Sequence, residues 1–136
     1  MDPLRLEKAR AKYHRLYRRK IQWFRVIYLF TNQECTDCAR TDCACKDSIC
    51  SHVQTEARKL GHEFASTGHR LRFIGGQGCI VPPHLRETCT LYLCQAAMAK
   101  PDFDRQKFDR LKAIAGRIEW SLMVLEDEFG RQLRGG

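Results

Sequence analysis

The sequence lacks most of what announces a compartment or a reaction. It has no hydrophobic run long enough to span a bilayer: the most apolar stretch, Ile21 to Phe30, is ten residues long and contains Arg25. Its first residues, Met-Asp-Pro-Leu-Arg-Leu-Glu-Lys, hold no apolar segment of the kind a secretory signal requires. The expected compartment is therefore the cytoplasm, with no membrane partner. Catalytic signatures are missing as well. There is no phosphate-cradling glycine loop before a helix, no nucleophile elbow and no His-Glu-x-x-His. The carboxylates Glu126-Asp127-Glu128 read as a solvated helix end. Internal repeats and low-complexity linkers are absent, and no cysteine lies outside residues 35–94. Acidic residues are scarce at the start: residues 1–30 hold nine Lys/Arg against two Asp/Glu, while the remainder of the chain is close to balanced.

What is present is cysteine, eight in 136 residues, all in one segment. It runs Cys35-x2-Cys38-x4-Cys43-x-Cys45-x4-Cys50, then Cys79-x9-Cys89-x4-Cys94. In a reducing compartment clustered thiols are more often metal ligands or redox groups than disulfides. The close pairs let one short loop present two sulfurs to one centre, and thiolate is a strong ligand for zinc and for iron–sulfur clusters. All eight cysteines are candidate ligands. Cys89 and Cys94 are five apart, a rotation of about 140° on a helix, so they share no face of a regular helix. Cys89 then sits at a helix start, the helix deforms, or one of the two is a buried core thiol. His52 and His84 lie close enough in sequence to complete a site, or are ordinary hydrogen-bonded residues. Gly75, Gly76 and Gly78 either turn backbone N–H groups toward bound sulfur or make an ordinary turn.

The flanking segments have helical periodicity. Leu6, Ala9, Tyr13, Leu16, Trp23, Ile27 and Phe30 step by threes and fours with Lys20 in the missing place, and Tyr17, Ile21, Phe24 and Tyr28 widen the stripe. This predicts a basic helix over 4–30, ended by Thr31 and Asn32. Phe108, Leu111, Ala115, Ile118, Leu122, Leu125 and Phe129 repeat the pattern without a break, predicting a helix over 102–129 stopped by Gly130. Gly116 offers a close approach, and the tail from Arg131 reads as frayed. Between the two helices, residues 33–50 have no apolar core of their own and need a staple to order. A short helix is expected from Ser51 or His52 to Phe64, a short strand over Arg70–Ile74, and a last helix over Leu85–Ala99. The predicted fold is mainly α and one domain, residues 1–136. Two long antiparallel helices clamp a cysteine-rich, metal-stapled insert (33–99) with short helices and little strand.

Gly78-Cys79-Ile-Val-Pro-Pro-His-Leu-Arg86-Glu-Thr-Cys89-x2-Tyr92 resembles the C-terminal motif of the CxxCxxCC (YkgJ-type) cysteine-cluster family of zinc- or iron-chelating proteins, Gly-Cys, a short turn, then Arg-Pro-x-x-Cys. Cys50 with Val53 to Leu60 is similar to that family's last cluster cysteine and the helix after it. The family's adjacent Cys-Cys pair is replaced here by Cys43-Ala-Cys45 and a separate Cys50, and Glu87 stands where the motif has proline. The resemblance implies Cys45, Cys50, Cys79 and Cys89 around one centre, with Cys35, Cys38 and Cys43 contributing to a second. The expected function is thus a metal-binding protein acting as a binding or assembly module with a protein partner. Its cofactor is Zn2+ or an iron–sulfur cluster, with 4Fe–4S ahead of 2Fe–2S. Two other classes stay open: a nucleic-acid or ribonucleoprotein module using residues 5–25, with Arg15, Arg18, Arg19 and Lys20 on phosphates, and a redox or protein-modifying enzyme. The C-terminal seam also suits a homo-oligomer.

Overall fold

Phe24, Ile27, Phe108 and Ala115 are almost wholly removed from solvent, and they come from opposite ends of the chain. They belong to the seam between α1 (Pro3–Cys35) and α5 (Arg105–Phe129). The pair is antiparallel. Arg5 at the start of α1 ion-pairs with Glu128 near the end of α5, Lys20 meets Glu119 midway, and Phe30 stacks on Phe108, their centroids 6.1 Å apart. The computed structural model describes residues 2–35, 47–68, 74–75, 78–92 and 95–133. Within these, side chains are described except at 32–35, 47–48, 74–75, 78–79, 88 and 95–96.

The seam has two apolar clusters. One unites Phe24, Ile27, Ala97, Phe108, Leu111 and Ala115; the other unites Ala9, Tyr13, Ile118, Leu122, Leu125, Phe129 and Leu133. Trp23 packs against both. All seven residues expected on the inner face of α5 are buried. In α1 the fully buried aromatic is Phe24, with Trp23 only partly covered, and Ile21 is exposed.

Helix ends differ from expectation for identifiable reasons. Thr31 does not stop α1. Its hydroxyl donates to the Tyr28 carbonyl at 3.4 Å, inside the helix, and the residue is buried. α5 starts after Asp104 rather than Pro101, because the Asp104 carboxylate accepts from the Lys107 N–H at 2.9 Å and caps the first turn. It stops at Gly130, whose φ of 60° lies in the left-handed region. The tail is docked, not frayed, as far as Leu133: that side chain is buried in the second cluster, and Arg10 Nε donates to the Gln132 carbonyl at 2.7 Å.

The insert carries α2 (Asp47–Lys59), a two-residue antiparallel pair β1 (Ile74–Gly75) and β2 (Gly78–Cys79), a 3-10 turn at Pro83–Leu85, α3 (Glu87–Thr90) and α4 (Gln95–Met98). α2 ends earlier than Phe64. His62 N–H donates to the Ala57 carbonyl and Gly61 N–H to that of Arg58, a Schellman close with Gly61 at φ 84°. Phe64 comes after this cap, and the Gln54 side-chain amide bonds both its N–H and its carbonyl. The helix expected over Leu85–Ala99 is two separate four-residue helices, parted at Leu91. Of the expected strand only Ile74 falls among the described residues, and it pairs with Cys79.

Gly116 is not a close approach: a Cβ placed there would meet no atom within 4 Å. Gly116→Ala is therefore expected to stabilise the protein by about 0.5–1 kcal/mol through helix propensity and reduced unfolded-state freedom. Urea unfolding measures this directly, and a loss of stability would contradict the open environment.

Candidate functional site

Two features stand out on the insert side of the helix pair. The first is a small core separate from the seam. Val53 of α2 and Val81 and Leu85 of the following loop are buried together, with Ile49, Cys50, Phe64 and Cys89 packed around them. Two half-buried thiols 39 residues apart in sequence thus meet one apolar cluster. Cys79 is in β2, two residues before the buried Val81.

Arg86 holds this loop together. It is 7% exposed. Its Nε donates to the Val81 carbonyl at 2.7 Å, Nη1 reaches the Thr90 hydroxyl at 3.5 Å, and the guanidinium carbon lies 4.7 Å from the centre of the Tyr28 ring on α1. The Thr90 hydroxyl in turn donates to the Pro83 carbonyl at 2.8 Å. One buried side chain therefore fixes the segment after Cys79 to the segment around Cys89 and seats both on α1. Among the described residues no carboxylate pairs with this guanidinium.

The second feature is an ionic cluster at the edge of a groove of about 690 Å³ between α1, α2, the 3-10 turn and α5. Lys20 occupies the apolar seam's missing place. Its side chain is 12% exposed, it ion-pairs with Glu87 of α3, and its Nζ is 3.2 Å from Glu119 Oε1 of α5. Burial alone would pull the ammonium down. The hydrogen bond and charge of Glu87, together with Glu119, outweigh it and raise the pKa above its ordinary value. Burial pushes the Glu119 carboxyl up, helped by the like charge of Glu87 and only partly offset by Lys20. His84, edge-on to Tyr17 at 5.8 Å, is pushed down by burial, then by the charges of Lys20 and His62.

The expected site residues separate accordingly. Cys50 and Cys89 come together on one cluster, with Cys79 in the adjoining strand. Cys35 is the last residue of α1. Cys38, Cys43, Cys45 and Cys94 lie outside the described residues. Among the described residues no group of three or more His, Cys, Asp or Glu side chains converges as a metal site; those residues include the side chains of only two cysteines. His52 is exposed at the groove rather than packed in the thiol cluster. Arg15, Arg18 and Arg19 are exposed on α1, but Lys20 is not of their kind, because its charge is turned into the seam and matched there. The sequence alone gives Gln54 and Glu119 no role, and it marks Arg86 only as the arginine of the Gly78–Tyr92 motif. A lysine in an otherwise apolar seam signals a carboxylate on the facing helix, and Glu119, beside Ile118, is the residue that answers it.

No protein-family model, curated protein or solved structure matches the chain. No described helix is long and apolar enough to cross a membrane.

The pKa shifts set opposite pH dependences. His84 lies below its ordinary 6.5 in the fold, so its contribution to stability is present above 6.5 and is lost on acidification. Glu119 lies above its ordinary 4.5, so its contribution is full below 4.5 and declines as pH rises. On lowering the pH from about 7.5 to about 5.5, the wild type should lose more stability than His84→Gln. Urea midpoints at the two pH values measure it; a constant difference between the proteins contradicts the assignment.

Proposed function

We propose that the protein is a thiolate metal-binding module in which the α1–α5 pair presents a cysteine-rich insert to a metal centre. The observation that carries this reading is the packing of Cys50 and Cys89, from distant parts of the chain, against one small core. Cys79 is the third donor and Cys45 the fourth, the set implied by the resemblance to the CxxCxxCC family. Cys35, Cys38, Cys43 and Cys94 would supply a second centre or remain thiols.

The chemistry of the donors supports the reading further. A buried guanidinium without a carboxylate is costly unless negative charge lies near it. Arg86 bonds the residue two after Cys79 and the residue one after Cys89, and a four-thiolate centre carries the net negative charge that would balance it. Bound there, the metal would act as a staple for the insert, whose own apolar cluster at this place has three buried side chains among the described residues, Val53, Val81 and Leu85. An iron–sulfur cluster at the same thiolates would add electron transfer; zinc would add structure alone.

The test is the metal content of Cys50→Ser and Cys89→Ser after purification without oxygen. Each variant is expected to lose at least one metal equivalent per chain and to melt at lower temperature than the metal-loaded wild type. Unchanged metal content in both variants would exclude these two thiols as ligands and overturn the reading.

A further inference from the structure

The outward face of α1 carries a line of cations that the fold does not use. Lys8, Lys12, Arg15 and Arg19 follow at steps of four, three and four, with Arg18 and Arg25 beside them, and all six are exposed. From Lys8 to Arg19 the line extends about 17 Å at a rise of 1.5 Å per residue, and Arg18 and Arg25 stand further round the helix. α5 does not neutralise it. The α5 carboxylates near α1 are engaged along the seam: Glu128 with Arg5, Glu119 with Lys20, and Glu126 accepting from the Tyr13 hydroxyl at 3.4 Å.

The partner's chemistry follows from what shares this face. Tyr13, Tyr17 and Trp23 pack into the seam and the strongly exposed Trp120 belongs to α5, so the cation face of α1 carries no exposed Phe, Tyr or Trp, and its single exposed imidazole, His14, is no platform for successive unpaired bases. A membrane surface is also a poor fit. Interfacial helices bury an apolar face beside their cations, and here that face is already occupied by α5, while the apolar residues left exposed on α1 lie outside the span from Lys8 to Arg19, Leu4 before it and Ile21, Val26 and Leu29 after it. Exposed cations without stacking groups suit an ordered phosphate backbone read by charge.

We infer that the outward face of α1 binds the phosphate backbone of a nucleic-acid duplex, through Lys8, Lys12, Arg15, Arg18, Arg19 and Arg25 and without base readout. This does not depend on the metal reading. It uses the expected Arg15, Arg18 and Arg19 and excludes Lys20.

The experiment is fluorescence anisotropy of the full chain with labelled duplexes of arbitrary sequence, DNA and RNA, over a range of salt. For four to six phosphate contacts the slope of log K against log salt should lie between about −3.6 and −5.4, independent of sequence. Arg15→Gln/Arg18→Gln/Arg19→Gln together should flatten it by about 2.7. The same charge change elsewhere, Arg110→Gln/Arg117→Gln/Arg131→Gln, should leave it within about one unit of wild type. Any of four results would overturn the inference: no duplex binding at the lowest salt, a wild-type slope in the α1 triple variant, equal flattening by the control triple, or binding to phosphatidylserine vesicles with none to duplex.

Discussion

The apolar contact between α1 and α5 is what every other element leans on. Neither helix can stand in water with its inner face uncovered, and the two faces match in length and run antiparallel. Phe24 and Ile27 meet Phe108, Leu111 and Ala115 at one end; Ala9 and Tyr13 meet Leu122, Leu125 and Phe129 at the other. Burial on this scale, at roughly 1.5–3 kcal/mol per large side chain, dominates anything the surface ion pairs add. Even the chain's last described turn is drawn in, since Leu133 finds cover only in the second cluster.

Lys20 shows how the insert is tied to this seam. A cation in an apolar stripe is tolerated only if its charge is met, and two carboxylates from different elements meet it, Glu119 from the facing helix and Glu87 from α3. Arg86, immediately before the same α3, rests on the ring of Tyr28 on α1. The short segment bearing Cys89 is thereby anchored to α1 at two places, by an ion pair and by a cation over a ring. Few apolar side chains are needed to seat it, and few are present.

Much of this architecture was legible. The unbroken three-four stepping of α5 identified its buried face because an amphipathic helix of that length has only one way to hide seven apolar residues. The same reasoning located α1 and its antiparallel partner. It failed where local chemistry competes with periodicity. Thr31 looked like a terminator but bonds within its own helix. Leu85 to Ala99, following the Pro82-Pro83 stop, looked like one helix, yet Arg86 bonds backward to Val81 and the segment breaks at Leu91. Gly116 suggested contact and faces open space. Of the candidate site, the concentration of thiols was plain, but apart from the set implied by the resemblance nothing in the residues said which of them share a cluster, because that is decided by Val53, Val81 and Leu85, whose spacing in sequence carries no signal. Lys20 was grouped with its basic neighbours since a sequence does not show which way a charge is turned.

Metal analysis with an absorption spectrum, on protein purified without oxygen, tests most directly whether the thiols form a centre. At least one zinc or iron per chain is expected. Zinc would come with a colourless protein; iron with acid-labile sulfide would come with broad absorption near roughly 400 nm. A folded protein free of metal, with all eight cysteines open to alkylation without prior unfolding, would contradict a thiolate centre.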